Sequence, residues 1–384
     1  MHLIADTGSL RALCERLAAS RYVTVDTEFL RDTTYWPRLC LVQLASLDEA
    51  AAVDALAPGI DLAPLLALLR NAAVLKVFHA ARQDIEIFFH LDGSVPEPVF
   101  DTQIAAMVCG FGDQASYERL VAKLARASID KTQRFTDWSR RPLSRKMYDY
   151  AISDVTHLRA VYEKLAARLE RDGRAGWLAE EMASLTDPAT YRLDPAEAWL
   201  RVKTRLGKPR QLAVLRDLAA WREAEAQRRD VPRNRVLRDE ALNDIAAQQP
   251  ASREELWNLR SLGRGHIGKA AADALLEVVA VAKAAPASTW PEPRKPRPQA
   301  NHAAPAADLL KVLLKLRCEE NGVAQKLVAS ADDIEAIARD DSAEVRALKG
   351  WRREIFGRDA LALKHGEIAL AMKGGGIRVI AGAG

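Results

Sequence analysis

The side chains best equipped for chemistry in this chain are acids. Asp26 and Glu28 close a segment, 21–28 (RYVTVDTE), that alternates apolar and polar residues and is rich in β-branched types. Residues i and i+2 on a strand share a face, so the two carboxylates converge. Side by side they repel, unless a cation neutralises them. Asp84 follows another apolar run, inside 79–88 (HAARQDIEIF), at an expected helix start where the helix dipole favours an acid. Tyr150 and Asp154 lie four apart in 148–158 (YDYAISDVTHL) and share a helix face, whereas Tyr148 points elsewhere. Each piece alone has an ordinary explanation: an exposed strand end, a dipole-favoured acid, a tyrosine satisfied by its neighbour. Together, four carboxylates with no Cys or His at ligand spacing suit hard divalent ions, Mg²⁺ or Mn²⁺, rather than zinc. Such a cluster can hold two ions about 3.5–4 Å apart, the spacing of in-line phosphoryl displacement.

Positioning these acids requires strands first and helices after. Segments 21–28, 39–45, 51–54 and 74–78 read as strands, the first of them joined as a meander. Helical patterns cover 10–18, 62–70, 82–90, 102–109, 117–125 and 143–169. This order predicts an α/β domain with a mixed sheet. The second half reads as amphipathic helices over 210–285 and 307–372, with almost no strand signal. VPRNRVLRDEALNDIA at 231–246 is echoed by VAQKLVASADDIEAIA at 323–338, which predicts two copies of one small helical domain. Between the copies, 286–305 is rich in proline and carries Arg294, Lys295 and Arg297, the composition of a stiff linker. The Gly-rich end, 374–384, is expected to fray.

Composition narrows the classes. The chain of 384 residues is 49% hydrophobic and 28% charged, ordinary values for a folded protein of two or three domains. No apolar run is long enough to span a bilayer, and the first 20 residues lack the apolar core of a signal peptide. Cys14, Cys40, Cys109 and Cys318 are far apart, which fits a reducing cytoplasm. The net charge of +4 is unevenly distributed: residues 1–200 carry −5 and residues 201–384 carry +9. Within 201–240 alone, 12 Lys and Arg face six acids, an excess that suits a polyanion.

Asp-Thr-Glu-Phe at 26–29, Asp84 in its His-x₄-Asp setting and Tyr150-x₃-Asp154 resemble the three motifs of the DEDD exonuclease superfamily, tyrosine subclass. Phe100-Asp101-Thr102-Gln103, Asp130-Lys131 and the stretch 137–144 (DWSRRPLS) are similar to the ribonuclease D family. Leu212, Trp221, Ala226, Val231-Pro232-Arg233 and Leu259 to Leu262 resemble the helicase and ribonuclease D C-terminal (HRDC) domain. The resemblance implies an α/β ribonuclease H-like exonuclease domain (1–205), an HRDC domain (206–288), a linker (289–305), a second HRDC-like domain (306–373) and a flexible tail (374–384). It implies a monomeric 3′→5′ exoribonuclease that trims tRNA precursors with 3′ extensions and other small RNAs and releases 5′-nucleoside monophosphates. It also implies two divalent ions: Asp26 bridging both, Glu28 and Asp154 completing the one that carries the nucleophile, Asp84 on the other. Tyr150 would orient the attacking water and help deprotonate it. With an ordinary pKa near 10 its hydroxyl is expected to position rather than to act as free tyrosinate.

Further substrate contacts are expected from Phe29 and Leu30 beside the acids, from His79, and from Arg140 and Arg141 ahead of the third motif. Phe29 could equally be core, and His79 a hydrogen-bonded structural residue. Asp101 is read as structural. Two other functions remain open on sequence: a DNA exonuclease, because reading a 2′-hydroxyl has no linear motif, and a non-catalytic nucleic-acid-binding protein, which is expected to lack one of the acids.

Overall fold

A computed structural model describes residues 3–133, 136–262, 267–293 and 303–382. The chain forms two compact units. One comprises Met1–Glu28, Cys40–Thr190 and Pro298–Gly384, the other Phe29–Leu39 and Tyr191–Arg297.

The first unit is built on a mixed sheet. Its elements are β1 (Leu3–Ile4), α1 (Thr7–Leu17), β2 (Tyr22–Leu30), β3 (Arg38–Ala45), β4 (Ala50–Asp54), α2 (Ala63–Arg70), β5 (Leu75–Phe78), α3 (Arg82–Asp92), β6 (Val99–Asp101) and α4 (Thr102–Val108). The strand order is β1-β4-β3-β2-β5-β6. β4 runs parallel to β1 and antiparallel to β3, while β5 runs parallel to both β2 and β6. β3 is buried along nearly its whole length, so it reads as an apolar run, whereas β2 alternates apolar and polar residues up to the acids. The expected meander is β2-β3-β4. The two extra edge strands, β1 and β6, are only two and three residues long, too short to show a period.

Two helices follow, α5 (Tyr117–Leu120) and the 27-residue α6 (Arg145–Arg171). Ser144 caps α6, accepting from the Met147 amide, a contact worth about 1 kcal/mol. Ala151, Asp154, Val155, Leu158, Val161 and Leu165 form its buried stripe at helical spacing. Thr24 ties β2 to this helix: its hydroxyl contacts the Val155 carbonyl at 2.9 Å.

α7 (Ala175–Leu185) is followed within this unit by the chain's C-terminal helices. These are α13 (Ala303–Asn321), α14 (Gln325–Val328), α15 (Ala331–Arg339), α16 (Gly350–Arg352) and α17 (Arg358–Lys364), numbered after the five helices of the second unit. Trp177 stacks on Trp351 with centroids 4.5 Å apart and planes 8° from parallel. Arg352 pairs with Glu180 at 2.7 Å and with Glu181. Arg174 donates to the carbonyls of Val108, Asn321 and Gly322. The expected fraying end is instead a hairpin, β7 (Ile368–Lys373) and β8 (Gly376–Ala381). Gly374 and Gly375, at φ 61° and 78°, form the two-residue loop that joins them, a turn with positive φ at both positions. The helical reading therefore ends at α17, not at 372.

The second unit is helical: α8 (Pro209–Arg229), α9 (Arg233–Val236), α10 (Asp239–Gln248), α11 (Arg253–Trp257) and α12 (Lys269–Ala284). Its core joins Leu215, Leu218, Ile245, Leu256, Leu275 and Val279 to Ala198 and Val202 from the segment ahead of α8. Trp199 packs against this core, and Leu200 is exposed. The expected boundary at 205 thus falls instead near 190, because these apolar side chains cover helices rather than the sheet. The two sequence echoes match in structure. Each begins a short helix two residues after its Val, at 233 and 325, and a longer one eight residues after it, at 239 and 331. Arg294, Lys295 and Arg297 lie outside the described residues. All four cysteines are buried and free.

Candidate active site

Three of the predicted acids meet. Asp26 and Glu28 at the end of β2 and Asp154 on α6 each present a carboxylate oxygen within 4.8 Å of the others. Asp84, in the first turn of α3, stands outside this tightest group, yet its charge reaches both Asp26 and Glu28. The Thr27 hydroxyl, between the two β2 acids in sequence, donates to Asp84 Oδ1. Among the described residues no ion pair involves any of the four acids, an arrangement that costs folding free energy unless a cation arrives.

Their titration shows the cost. Burial raises the Asp26 pKa far above the ordinary carboxylate range, and Asp154, Asp84 and Glu28 push it further. Glu28 rises to about 9 through burial and then through Asp154 and Asp84. Burial lifts Asp84 to about 7 against the Thr27 hydrogen bond. It lifts Asp154 to about 7 against a hydrogen bond from Tyr150. The donor set is all oxygen and all anionic, the chemistry that fits hard divalent cations.

Tyr150 lies one helical turn before Asp154 and hydrogen-bonds to it. Burial, then the charges of Asp154, Glu28 and Asp26, raise its pKa, so the hydroxyl stays protonated at neutral pH. Trp138, buried, holds its ring 6.1 Å from that of Tyr150. Tyr117 was not singled out on sequence. Its hydroxyl donates to the Asp154 carbonyl at 2.6 Å, pinning the turn of α6 that carries the acid. A lone tyrosine in a short helix gives no sequence signal of such a role; nor does Thr27, which strand alternation assigns to the opposite face.

A cavity of about 510 Å³ opens beside the acids, lined by Asp26, Tyr150, Asp154, His79, Tyr117 and Gln103 among others. His79 is therefore both hydrogen-bonded and at the site. Asp101 is structural, as expected: it accepts from the amides of Ala80, Ala81, Gln103 and Ile104. It thereby holds Ala80 at φ 58°, a left-handed conformation unusual for alanine, just ahead of α3. Phe29 and Leu30 extend β2 beyond the acids and are half-buried, within the second unit.

Arg141 departs from its expected role. Its five N–H groups go to Asp54 twice and to the carbonyls of Cys40, Trp138 and Arg140, which leaves none for a phosphate. It anchors the DWSRRPLS loop to β3 and β4. Arg140 is 81% exposed and, among the described residues, is paired with Asp137 alone, at 3.3 Å.

Comparison with known proteins decides the family. A 3′-5′ exonuclease family matches residues 1–170 and the HRDC domain family matches 211–279. Ribonuclease D of Nitrobacter hamburgensis is 53% identical over 375 residues, 98% of each chain. Ribonuclease D of Acidiphilium cryptum is 54% identical over 379 residues, 98% of this chain and 96% of its own. The chain belongs to the ribonuclease D family. The crystal structure of Escherichia coli RNase D, described as an exoribonuclease involved in structured RNA processing, superposes with a TM-score of 0.83. It is 30% identical and covers 95% of this chain and 98% of its own. This chain is thus a 3′→5′ exoribonuclease: its substrate is RNA, and the family works with divalent metal ions. Among the described residues no helix is long and apolar enough to cross a membrane.

Proposed function

We propose that this exoribonuclease trims 3′-extended tRNA precursors and other small RNAs in the cytoplasm, as a monomer using Mg²⁺ or Mn²⁺, and releases 5′-nucleoside monophosphates. The carrying observation is the convergence of Asp26, Glu28 and Asp154 without a counter-charge, beside a cavity and Tyr150. Asp26, Glu28, Asp84 and Asp154 would hold two divalent ions. When bound, such ions supply an acidified water and the positive charge that an in-line displacement needs.

The chain's own groups do the rest. Asp154 accepts from the Tyr150 hydroxyl, which fixes where that oxygen sits. With its proton retained, Tyr150 orients the attacking water through its oxygen rather than serving as a preformed base. Tyr117 keeps Asp154 in register through the backbone, and Thr27 does the same for Asp84 through its carboxylate. Arg140 is the exposed cation that would meet phosphates. The helices from α13 to α17 would be a second HRDC-type domain, a reading supported by the matching helix offsets.

The test is a ladder assay on 3′-extended tRNA and matched single-stranded DNA, with Mg²⁺, Mn²⁺ or EDTA. Stepwise loss of 3′ nucleotides from the tRNA, abolished by EDTA, is expected. Faster digestion of the DNA would overturn the substrate assignment, and activity in EDTA would overturn the metal assignment.

A further inference from the structure

A hydrogen-bond chain runs along the edge of the cavity. Thr102 Oγ1 donates its one hydrogen to the Phe78 carbonyl at 2.9 Å. His79 Nδ1 lies 3.0 Å from the same oxygen. With that hydrogen committed, the second contact must use an N–H of the imidazole. The proton therefore sits on Nδ1 and the lone pair on Nε2. Burial keeps the ring neutral by pushing its pKa down to about 4. Tyr117 steadies it from the side, with centroids 5.3 Å apart and planes at 46°. The half-buried ring lines the cavity with Asp26, Tyr150 and Asp154.

A neutral nitrogen acceptor repels phosphate oxygens and selects hydrogen-bond donors. On an RNA strand the donors are base N–H groups, which vary with sequence, the single terminal 3′-hydroxyl, which DNA shares, and the 2′-hydroxyl, which every nucleotide carries and DNA lacks. We infer that His79 is a specificity-determining residue whose Nε2 accepts a hydrogen bond from a ribose 2′-hydroxyl of the strand in this cavity. The inference rests on the exoribonuclease reading and adds to it the group that senses the sugar.

The experiment uses the full chain and a single-stranded RNA in which one 2′-deoxy or one 2′-fluoro nucleotide is moved through the last four positions. kcat/KM is measured for wild type, His79→Phe and the isosteric Thr102→Val. Wild type should lose roughly 2- to 10-fold at one position, the yield of one neutral hydrogen bond. The loss should be equal for deoxy and fluoro, since neither can donate. His79→Phe should cleave all-RNA more slowly by that factor and show no further loss at the same position. Thr102→Val, which frees the tautomer, should shrink the loss, and it carries the test if His79→Phe does not fold. Wild-type indifference at every position overturns the inference. So does full rescue by fluorine, a loss that follows base identity, or an undiminished loss in both variants. Failure of the exoribonuclease reading would look different: no strand would be shortened.

Discussion

Asp154 and Glu223 are both buried acids on long helices, α6 and α8, yet their surroundings move their titration in opposite directions. Burial alone would raise Glu223, but Arg233, Tyr35 and Arg201 hold it below the ordinary carboxylate range. Arg233 grips it through Nε at 2.5 Å and Nη2 at 2.6 Å and lies over the Tyr35 ring, while the Tyr35 hydroxyl donates to it. Asp154 is lifted to about 7, with three other acids nearby and only the Tyr150 hydroxyl in its favour. Burial is common to both. One site carries its own counter-charge and needs nothing more to be stable. The other leaves the counter-charge to be imported, which is the mark of a site that works on a ligand.

Removing charge from the two sites sharpens this contrast. The largest effect is expected for Asp26→Asn or Asp154→Asn: turnover on RNA should fall by several orders of magnitude. In EDTA the same variants should melt at a higher temperature than wild type, because a like charge has gone. Near wild-type turnover, or a lower melting temperature in EDTA, would break the assignment. Tyr150→Phe comes next. The kcat should fall roughly 10²–10⁴-fold with little change in RNA affinity; intact kcat with weaker binding would reduce Tyr150 to a packing residue.

Glu223→Gln should behave in the reverse manner, with kcat retained and stability lost. About 2–3 kcal/mol is expected by chemical denaturation, less than for a fully buried pair because Arg233 keeps 38% of its side chain exposed. The pH dependence should split the same way. Asp84, Asp154 and Glu28 titrate higher in the fold, near 7, 7 and 9, than the roughly 4 of an unfolded chain. Their contribution to the stability of the metal-free protein is therefore full below about pH 4 and is lost as pH climbs from there through 7 to 9. The melting temperature added by Mg²⁺ should grow over that window. Glu223, held low, contributes above its unfolded pKa of roughly 4.3 and ceases to do so as pH falls through its folded value. Calorimetry in EDTA and in Mg²⁺ across pH reads both trends, and a metal increment that shrinks toward alkaline pH would contradict the first.

The smallest effects separate two neighbouring arginines. Arg141→Ala should destabilise the fold, since Asp54 and three carbonyls lose their donor. Arg140→Ala should leave stability unchanged and reduce the log–log salt dependence of RNA binding by about 0.7, the loss of one phosphate contact. A titration over a salt series decides it.

The acids, the tyrosine and most helices were legible because their periods are local: i and i+2 on β2, i and i+4 on α6. The supporting cast was not. Arg141 reads as a phosphate ligand until Asp54, 87 residues away, is seen to occupy it. Trp199 is apolar in any register, and its sequence does not say which core it joins. The hairpin after 368 has another explanation: its Gly374-Gly375 turn and the β-branched Ile377, Val379 and Ile380 of β8 are extended-chain signals, but the glycine-rich composition of 374–384 reads first as a fraying end. Tyr117 and Thr27 act through oxygens supplied by residues 37 and 57 positions further on, which no window covers.

The eleven residues after Glu28, which include the end of β2 and the start of β3, belong to the helical unit. Asp230, left-handed at the end of α8, accepts the backbone amides of Tyr35 and Trp36, and Tyr35 reaches Glu223, Gln227 and Arg233. The HRDC domain here is consequently not a detachable appendage. A gene fragment starting at 191 encodes it without one of its own parts, and one stopping at 190 leaves that part with nothing to rest on. Grafting this domain onto another enzyme, or losing it in the course of evolution, would require rebuilding the loop that leaves the catalytic strand.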